Sequence, residues 1–239
     1  MKKVFHCAVV FCLTLLHNTP GFSQTASVQA NNPAAKAIDL FYHSVNESSH
    51  LFNGTEYIMY DQHIKGTPYF MDNVTTGSVF YDGTWYQDVP MLYELTTNKL
   101  VIRQYNGGVL ICLVNEKVGS FILSNHTFIH IVPDSGSSII SDGFYDRIYN
   151  GNVKAYSRRQ TVLLENPTTY ETNFKRDDKY YINRNNLWYP ISSESDALRV
   201  FKDHKKEVTK YLRQNKIRYK KTPEYAIVKM AEYYDQITH

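Results

Sequence analysis

A tyrosine followed by aspartate or asparagine and then glycine occurs three times: Tyr81-Asp82-Gly83, Tyr105-Asn106-Gly107 and Tyr149-Asn150-Gly151. Each triplet lies between two runs rich in β-branched and aromatic residues. A tight hairpin needs positive φ at its centre, which glycine, asparagine and aspartate tolerate and most residues do not. The triplets therefore read as hairpins that pair 78–81 with 84–89, 100–105 with 109–114, and 144–149 with 153–157. A looser polar loop, 183–186, joins 180–182 to 187–189. The three glycines stand 24 and 44 residues apart, too unevenly for a repeat architecture. The triplet is a folding signal rather than a ligand motif.

Residues 120–123, 127–132, 158–164 and 170–174 are further strand-like runs. About eight to eleven short strands joined by hairpins predict an antiparallel, meander-like sheet, strongly curved or closed. Helical spacing appears only at the ends. Asn32-Pro33 reads as a cap and first helical residue, and Ala34, Ile38, Phe41 and Val45 predict a helix over 33–47. Ser193 or Ser195 caps a second helix running to about 215, with Leu198, Phe201, Val208, Tyr211 and Leu212 on one face. Thr222-Pro223-Glu224 opens another, with Ile227, Met230, Ala231 and Tyr234 as its buried stripe. The fold class is α+β: a curved antiparallel sheet or half-barrel with an N-terminal helix and a C-terminal helix pair docked on it.

The start of the chain is read separately. Lys2 and Lys3 precede an apolar run over 4–16, and Asn18, Pro20, Gly21 and Ser23 follow it. That is the layout of a secretory signal peptide, with cleavage between Ser23 and Gln24. Neither Cys7 nor Cys12 is placed for a lipid anchor. The expected organisation is a signal peptide at 1–23, a flexible lead at 24–31, a helix and β domain at 32–192, and a helical pair at 193–239. After cleavage only Cys112 remains, so no internal disulfide can form. Its apolar surroundings, 109–114, suit a buried, inert thiol. The expected location is the periplasm or the outer envelope and extracellular space.

Three segments together resemble a family of secreted proteins of Gram-negative bacteria: Gly66-Thr67-Pro68-Tyr69-Phe70, Gly77-Ser78-Val79-Phe80-Tyr81-Asp82-Gly83 and Val89-Pro90-Met91-Leu92-Tyr93. The ending, from Phe201-Lys202-Asp203 to Tyr233-Tyr234-Asp235, is similar to the same family. The resemblance covers nearly all of the mature chain and implies an envelope location. It implies no activity and no site residues.

Several residues are candidates for chemistry. His126 and His130 are four apart, but in a strand that spacing spans about 13 Å, too far for one zinc ion. If 125–126 is a turn, His126 is simply a polar turn residue. Asp142 and Asp146 bracket Gly143-Phe144-Tyr145, and paired carboxylates can cleave glycosides. Aspartate beside glycine is equally common turn chemistry. No nucleotide, metal or prosthetic-group motif is present, so no cofactor is expected.

The chain has 20 tyrosines and 2 tryptophans. Side chains alternate along strands, so Trp85 and Tyr86 point to opposite faces. Tyr69, Tyr81, Trp85, Tyr86 and Tyr93 are candidates for an exposed aromatic sheet face, unless helices and sheet curvature cover both faces.

Charge is uneven as well. Residues 196–239 hold 11 Lys/Arg against 6 Asp/Glu, whereas 24–195 hold 13 against 17. Export argues against nucleic acid as the partner of this basic tail. Lys202, Lys205, Lys206, Lys210 and Arg213 form either a solvated helix face or a contact with an acidic protein or membrane surface. Sequons at Asn46, Asn53, Asn73 and Asn125 matter only in a eukaryotic secretory route.

The leading expectation is a non-enzymatic envelope protein that binds a partner protein or an apolar ligand through an aromatic sheet face. The alternative is a hydrolase acting on envelope glycans, with Asp142 and Asp146 as its acids. Expressed in a Gram-negative host, the protein should be recovered outside the cytoplasm with an intact mass that starts at Gln24. A cytoplasmic product retaining Met1 would contradict the export reading.

Overall fold

The computed structural model describes residues 33, 50–104, 108–134 and 139–238. Apart from Pro33, the segments expected as signal peptide, lead and N-terminal helix fall outside these residues, as does the Tyr105-Asn106-Gly107 turn. Thirteen strands are described: β1 (Thr55–Glu56), β2 (Thr75–Tyr81), β3 (Thr84–Glu94), β4 (Lys99–Arg103), β5 (Leu110–Cys112), β6 (Val118–Leu123), β7 (His126–Ile131), β8 (Gly143–Asn150), β9 (Lys154–Arg158), β10 (Thr161–Glu165), β11 (Thr172–Arg176), β12 (Lys179–Arg184) and β13 (Leu187–Ile191). Eleven form one antiparallel sheet in the order β1-β5-β4-β3-β2-β6-β7-β8-β9-β12-β13, and β10 and β11 make a separate ribbon. The sheet is open, with β1 and β13 at its edges.

The turn chemistry places most of the hairpins. Tyr81 pairs with Thr84, so Asp82-Gly83 is a two-residue turn, with φ of 49° and 81°. Asn185-Asn186 turns equally tightly between Arg184 and Leu187, with both φ positive, where the sequence suggested a looser loop. Arg103 pairs with Leu110 across the undescribed turn.

The third triplet behaves differently. Asn150 pairs with Lys154, so the turn is Gly151-Asn152-Val153, and Val153 is not in the strand. Gly151 is required for space rather than for φ. A Cβ there would collide with the Asp235 carboxylate and the Tyr149 hydroxyl, which close on the turn from one side.

Topology forces the sheet to curl. β5 and β6 are four strand positions apart, about 19 Å along a flat sheet. Only residues 113–117 join them, and three of these, Asn115–Lys117, form a compact 3-10 turn. The connection spans that gap only if the sheet bends until β5 faces β6. The order is therefore not a plain meander, because this jump and the β10–β11 excursion interrupt it.

The inner face of the curl is filled. Tyr81, Tyr86, Tyr93, Phe121, Phe128 and Phe144 pack there with Val79, Met91 and Leu100. Tyr93 meets Phe121, Phe128 and Phe144 at ring separations of 5.2, 4.9 and 6.0 Å. On the opposite face Tyr69 covers Leu92, Val101 and Cys112, while Tyr145, Tyr156 and Tyr181 pack with Trp188. Burial raises the Cys112 thiol pKa.

Three helices follow where two were expected: α1 (Glu194–Val200), α2 (Lys205–Gln214) and α3 (Pro223–Thr238). The Ser193 side chain caps α1 by accepting from the Asp196 N–H. The helix expected to reach 215 breaks at 201–204. There Phe201 turns inward to stack on Tyr234, 4.8 Å away, and Asp203 is drawn to Arg184 at 2.7 Å. That arginine holds the Asp203 carboxyl below its usual range, at about 2.

The helices bury Leu198, Phe201, Val208, Leu212, Ile227 and Met230 against Ala155, Ile182 and Ile191 of the sheet. Asp235, near the end of α3, accepts hydrogen bonds from Tyr149 Oη and from the Asn152 and Val153 amides. Gly151→Ala should therefore lower stability by about 1–3 kcal/mol through overpacking. Urea unfolding of Gly151→Ala in an Asp235→Ala background should show at least half of that cost removed. An undiminished cost would mean that backbone conformation, not the carboxylate, demands the glycine.

Candidate functional site

Two apolar cores share the inner sheet face, and a cluster of charges sits between them. Directly opposed residues point to the same side. Asp146 on β8 is flanked by Phe128 on β7 and Ser157 on β9. Phe128 belongs to the aromatic core and Ala155, two residues before Ser157, to the core under the helices. Arg159, just beyond β9, reaches back into this seam and is only 6 % exposed.

Arg159 donates to three carboxylates. Its Nε and Nη2 bond Asp146 Oδ2 at 2.9 and 2.5 Å. Its Nη1 bonds Asp178 at 3.1 Å and Glu224 at 2.5 Å, and Nη2 also bonds the other Glu224 oxygen at 2.9 Å. Phe70 lies over the guanidinium, 5.9 Å from ring centre to carbon. Burial disfavours the charged guanidinium, but the Glu224 hydrogen bond and the Asp146 and Glu224 charges outweigh it and raise the pKa. The neighbouring Tyr180 phenol is pushed up to about 12 by burial and by the Glu224 and Asp178 charges.

His126 completes the cluster. It is the first residue of β7, because Ser124-Asn125 forms the turn and His126 pairs with Leu123. Its Nδ1 lies 2.7 Å from Asp146 Oδ2, and its ring packs edge-on against Phe70 at 4.8 Å. A carboxylate can only accept, so the Nδ1 proton of His126 points at Asp146 and Nε2 is the ring nitrogen outside that contact. Asp146 is 1 % exposed, whereas the His126 side chain is 35 % exposed. The histidine lines a cleft of about 510 Å³ with Asn125, Ile148, Pro223, Glu224, Tyr225 and Val228. A second cleft of about 760 Å³ shares Pro223 with the first and is bordered by Asp178, Tyr180, Tyr219 and residues 192–195.

The carboxylate pair suggested by the sequence is not brought together. Asp142 is a bend residue just before β8 and Asp146 lies inside the strand, and four residues of extended chain rise about 13 Å, wider than the roughly 5–10 Å that glycoside cleavage uses. Asp142 is exposed and bonds His130 Nε2 at 2.7 Å, while Asp146 bonds His126. The two histidines thus take separate carboxylates, and among the described residues no group of three or more His, Cys, Asp or Glu is arranged for a metal.

The aromatic surface is corrected too. Tyr69, Tyr81, Tyr86 and Tyr93 are 6, 1, 2 and 0 % exposed, because both sheet faces are covered around them. Trp85 does point away from Tyr86, as alternation requires, and is half-buried against Phe80 at 5.5 Å. No surface remains on the four tyrosines for a ligand.

Comparison with family models, curated proteins and solved structures finds no match to this chain.

Sequence reasoning missed Arg159, which no local pattern marks, and read Glu224 only as part of a helix start: their contacts to Asp146 and Arg159 cross 13 and 65 residues. Replacing Arg159 leaves Asp146 buried without its main partner. Arg159→Met should cost about 3–5 kcal/mol. Glu224→Gln, on the exposed rim, should cost about 1 kcal/mol or less. Urea denaturation of both variants checks this ranking, and the reverse order would show that the cluster is held from the rim.

Proposed function

We propose that the chain is an exported protein of the bacterial envelope that binds a small molecule in the His126 cleft. The observation that carries this reading is the histidine itself: a half-exposed imidazole, oriented by a fully buried Asp146 that Arg159 holds in place. The apolar walls (Ile148, Pro223 and Val228) and a few converging polar groups (Asn125, His126, Glu224 and Tyr225) have the composition of a small-molecule site, and the volume fits one. With Nδ1 taken by Asp146, His126 meets the ligand through Nε2, so the ligand presents a polar hydrogen-bonding group such as a hydroxyl or amine to it. The export part rests on the signal-like first 23 residues and on the resemblance of the chain to secreted envelope proteins. This site replaces the aromatic sheet face, whose tyrosines are core.

One observation favours a hydrolase as the second reading. An imidazole oriented by a carboxylate through Nδ1 is also the arrangement of a general base, able to take a proton from water at Nε2. Asp146, bonded to His126 Nδ1 and to Arg159, would then act by orienting His126.

NMR of histidine-labelled protein against a library of soluble hydroxyl- and amine-bearing fragments tests both readings. Binding should shift the His126 ring resonance while leaving that of His63, an exposed histidine paired with Asp61, unmoved. His126→Ala should abolish the response. If no fragment moves His126 more than His63, the cleft is not a binding site. Turnover of a bound fragment that is lost in His126→Gln would favour the hydrolase.

A further inference from the structure

The surface of α2 carries a charge excess that the fold does not use. Lys206, Lys210 and Arg213 recur at i, i+4 and i+7, which places them on one helix face. That face is opposite the buried Val208 and Leu212. All three are exposed, as are Lys202 and Lys205 before them and Lys216, Arg218, Lys220 and Lys221 after them.

None of these nine cations makes an ion pair among the described residues. The nearby acids are committed elsewhere. Asp203, though exposed, pairs with Arg184 and accepts from the Tyr234 hydroxyl at 2.7 Å, and Glu207 faces His204 at 4.0 Å. α2 holds four Lys/Arg against one acid, Glu207, so its exposed surface keeps an excess of positive charge that the interspersed acid does not cancel.

We infer that the α2 face and the following connector dock on an anionic phospholipid surface. A protein partner normally inserts apolar or aromatic anchors at the centre of its interface. No large apolar side chain between 202 and 221 is exposed. A lipid headgroup layer needs no such anchor, only a density of negative charge within about a Debye length. Among the described residues no helix is long and apolar enough to cross a membrane, so this contact is peripheral. It is independent of the His126 cleft, whose lining residues include none of these cations.

Vesicle co-sedimentation of the purified protein tests this. One set of vesicles is pure phosphatidylcholine and the other holds about 30 % phosphatidylglycerol. The protein should sediment with the anionic set alone and be released as salt rises from about 0.05 to 0.5 M. Substituting Lys206→Gln, Lys210→Gln and Arg213→Gln together should lower the partition about fivefold per charge, roughly a hundredfold in all. A control triple, Lys154→Gln, Lys175→Gln and Lys179→Gln, removes the same charge from the exposed sheet surface and should bind within about twofold of wild type. Equal loss in both triples would reduce the effect to net charge and overturn the inference. Equal sedimentation with neutral vesicles would overturn it in favour of apolar insertion. Retention on soluble polyglutamate without vesicle binding would assign the stripe to an acidic protein instead.

Discussion

The ion cluster around Arg159 is the constraint on which the rest of this architecture depends. A guanidinium that is 6 % exposed beside a carboxylate that is 1 % exposed is expensive to desolvate, and it persists only with near-complete hydrogen bonding. The chain meets that demand from four places: β8 supplies Asp146, the end of β9 supplies Arg159, the entry to β12 supplies Asp178, and the first turn of α3 supplies Glu224. Moving any one of these elements strands a charge. Apolar packing alone would tolerate some sliding of α3 over the sheet. The cluster limits that freedom at one end of the helix, and Asp235 limits it at the other by accepting from the 152–153 amides. The charges thus act as registry pins, while the area buried under the helices supplies the bulk of the stabilisation.

The same geometry explains why there is a seam at all. The curled part of the sheet closes on its own aromatic core, and the β9–β12–β13 end is covered by helices. A sheet covered by itself at one end and by helices at the other has a boundary between two covering layers. Polar residues occupy the transition, and their partners come from both sides. His126 lies at the outer edge of this transition, where the β6–β7 turn stops short of α3. That placement makes it half-exposed while the residue orienting it is fully buried.

Local chemistry was legible in the sequence, and non-local chemistry was not. Asp82-Gly83 and the helix start at Thr222-Pro223-Glu224 act within four or five residues, and the turn and the helix each begin where the composition demands. The Gly151 turn was found for an incomplete reason. Its glycine was read as a φ requirement, yet the structure uses it to admit Asp235, 84 positions later in the chain. Likewise the alternation of Trp85 and Tyr86 was correct, while the inference of an exposed face failed. Period two tells which residues share a face but not what covers it. Coverage here comes from Tyr69 and from the curl, neither of which β2 and β3 encode. Arg159 had no signal at all, since its meaning depends on strands and a helix that meet only in the folded chain.

The two surfaces proposed for function differ in how they relate to folding. His126 is inseparable from the ion cluster: its tautomer is set by Asp146, which is held by Arg159, so any variant that loosens the cluster also disorders the imidazole. The α2 stripe is the opposite case. Its cations touch nothing the fold needs, since the helix is held by Val208 and Leu212 on its other side and by the stacking of Tyr211 on Tyr233 at 4.2 Å. Charge kept at an energetic disadvantage, with no internal partner, is more readily explained by something outside the molecule than by the fold. On that physical ground the basic stripe is a cleaner reporter of interaction than the histidine, because its removal can change what the protein touches without changing how it folds.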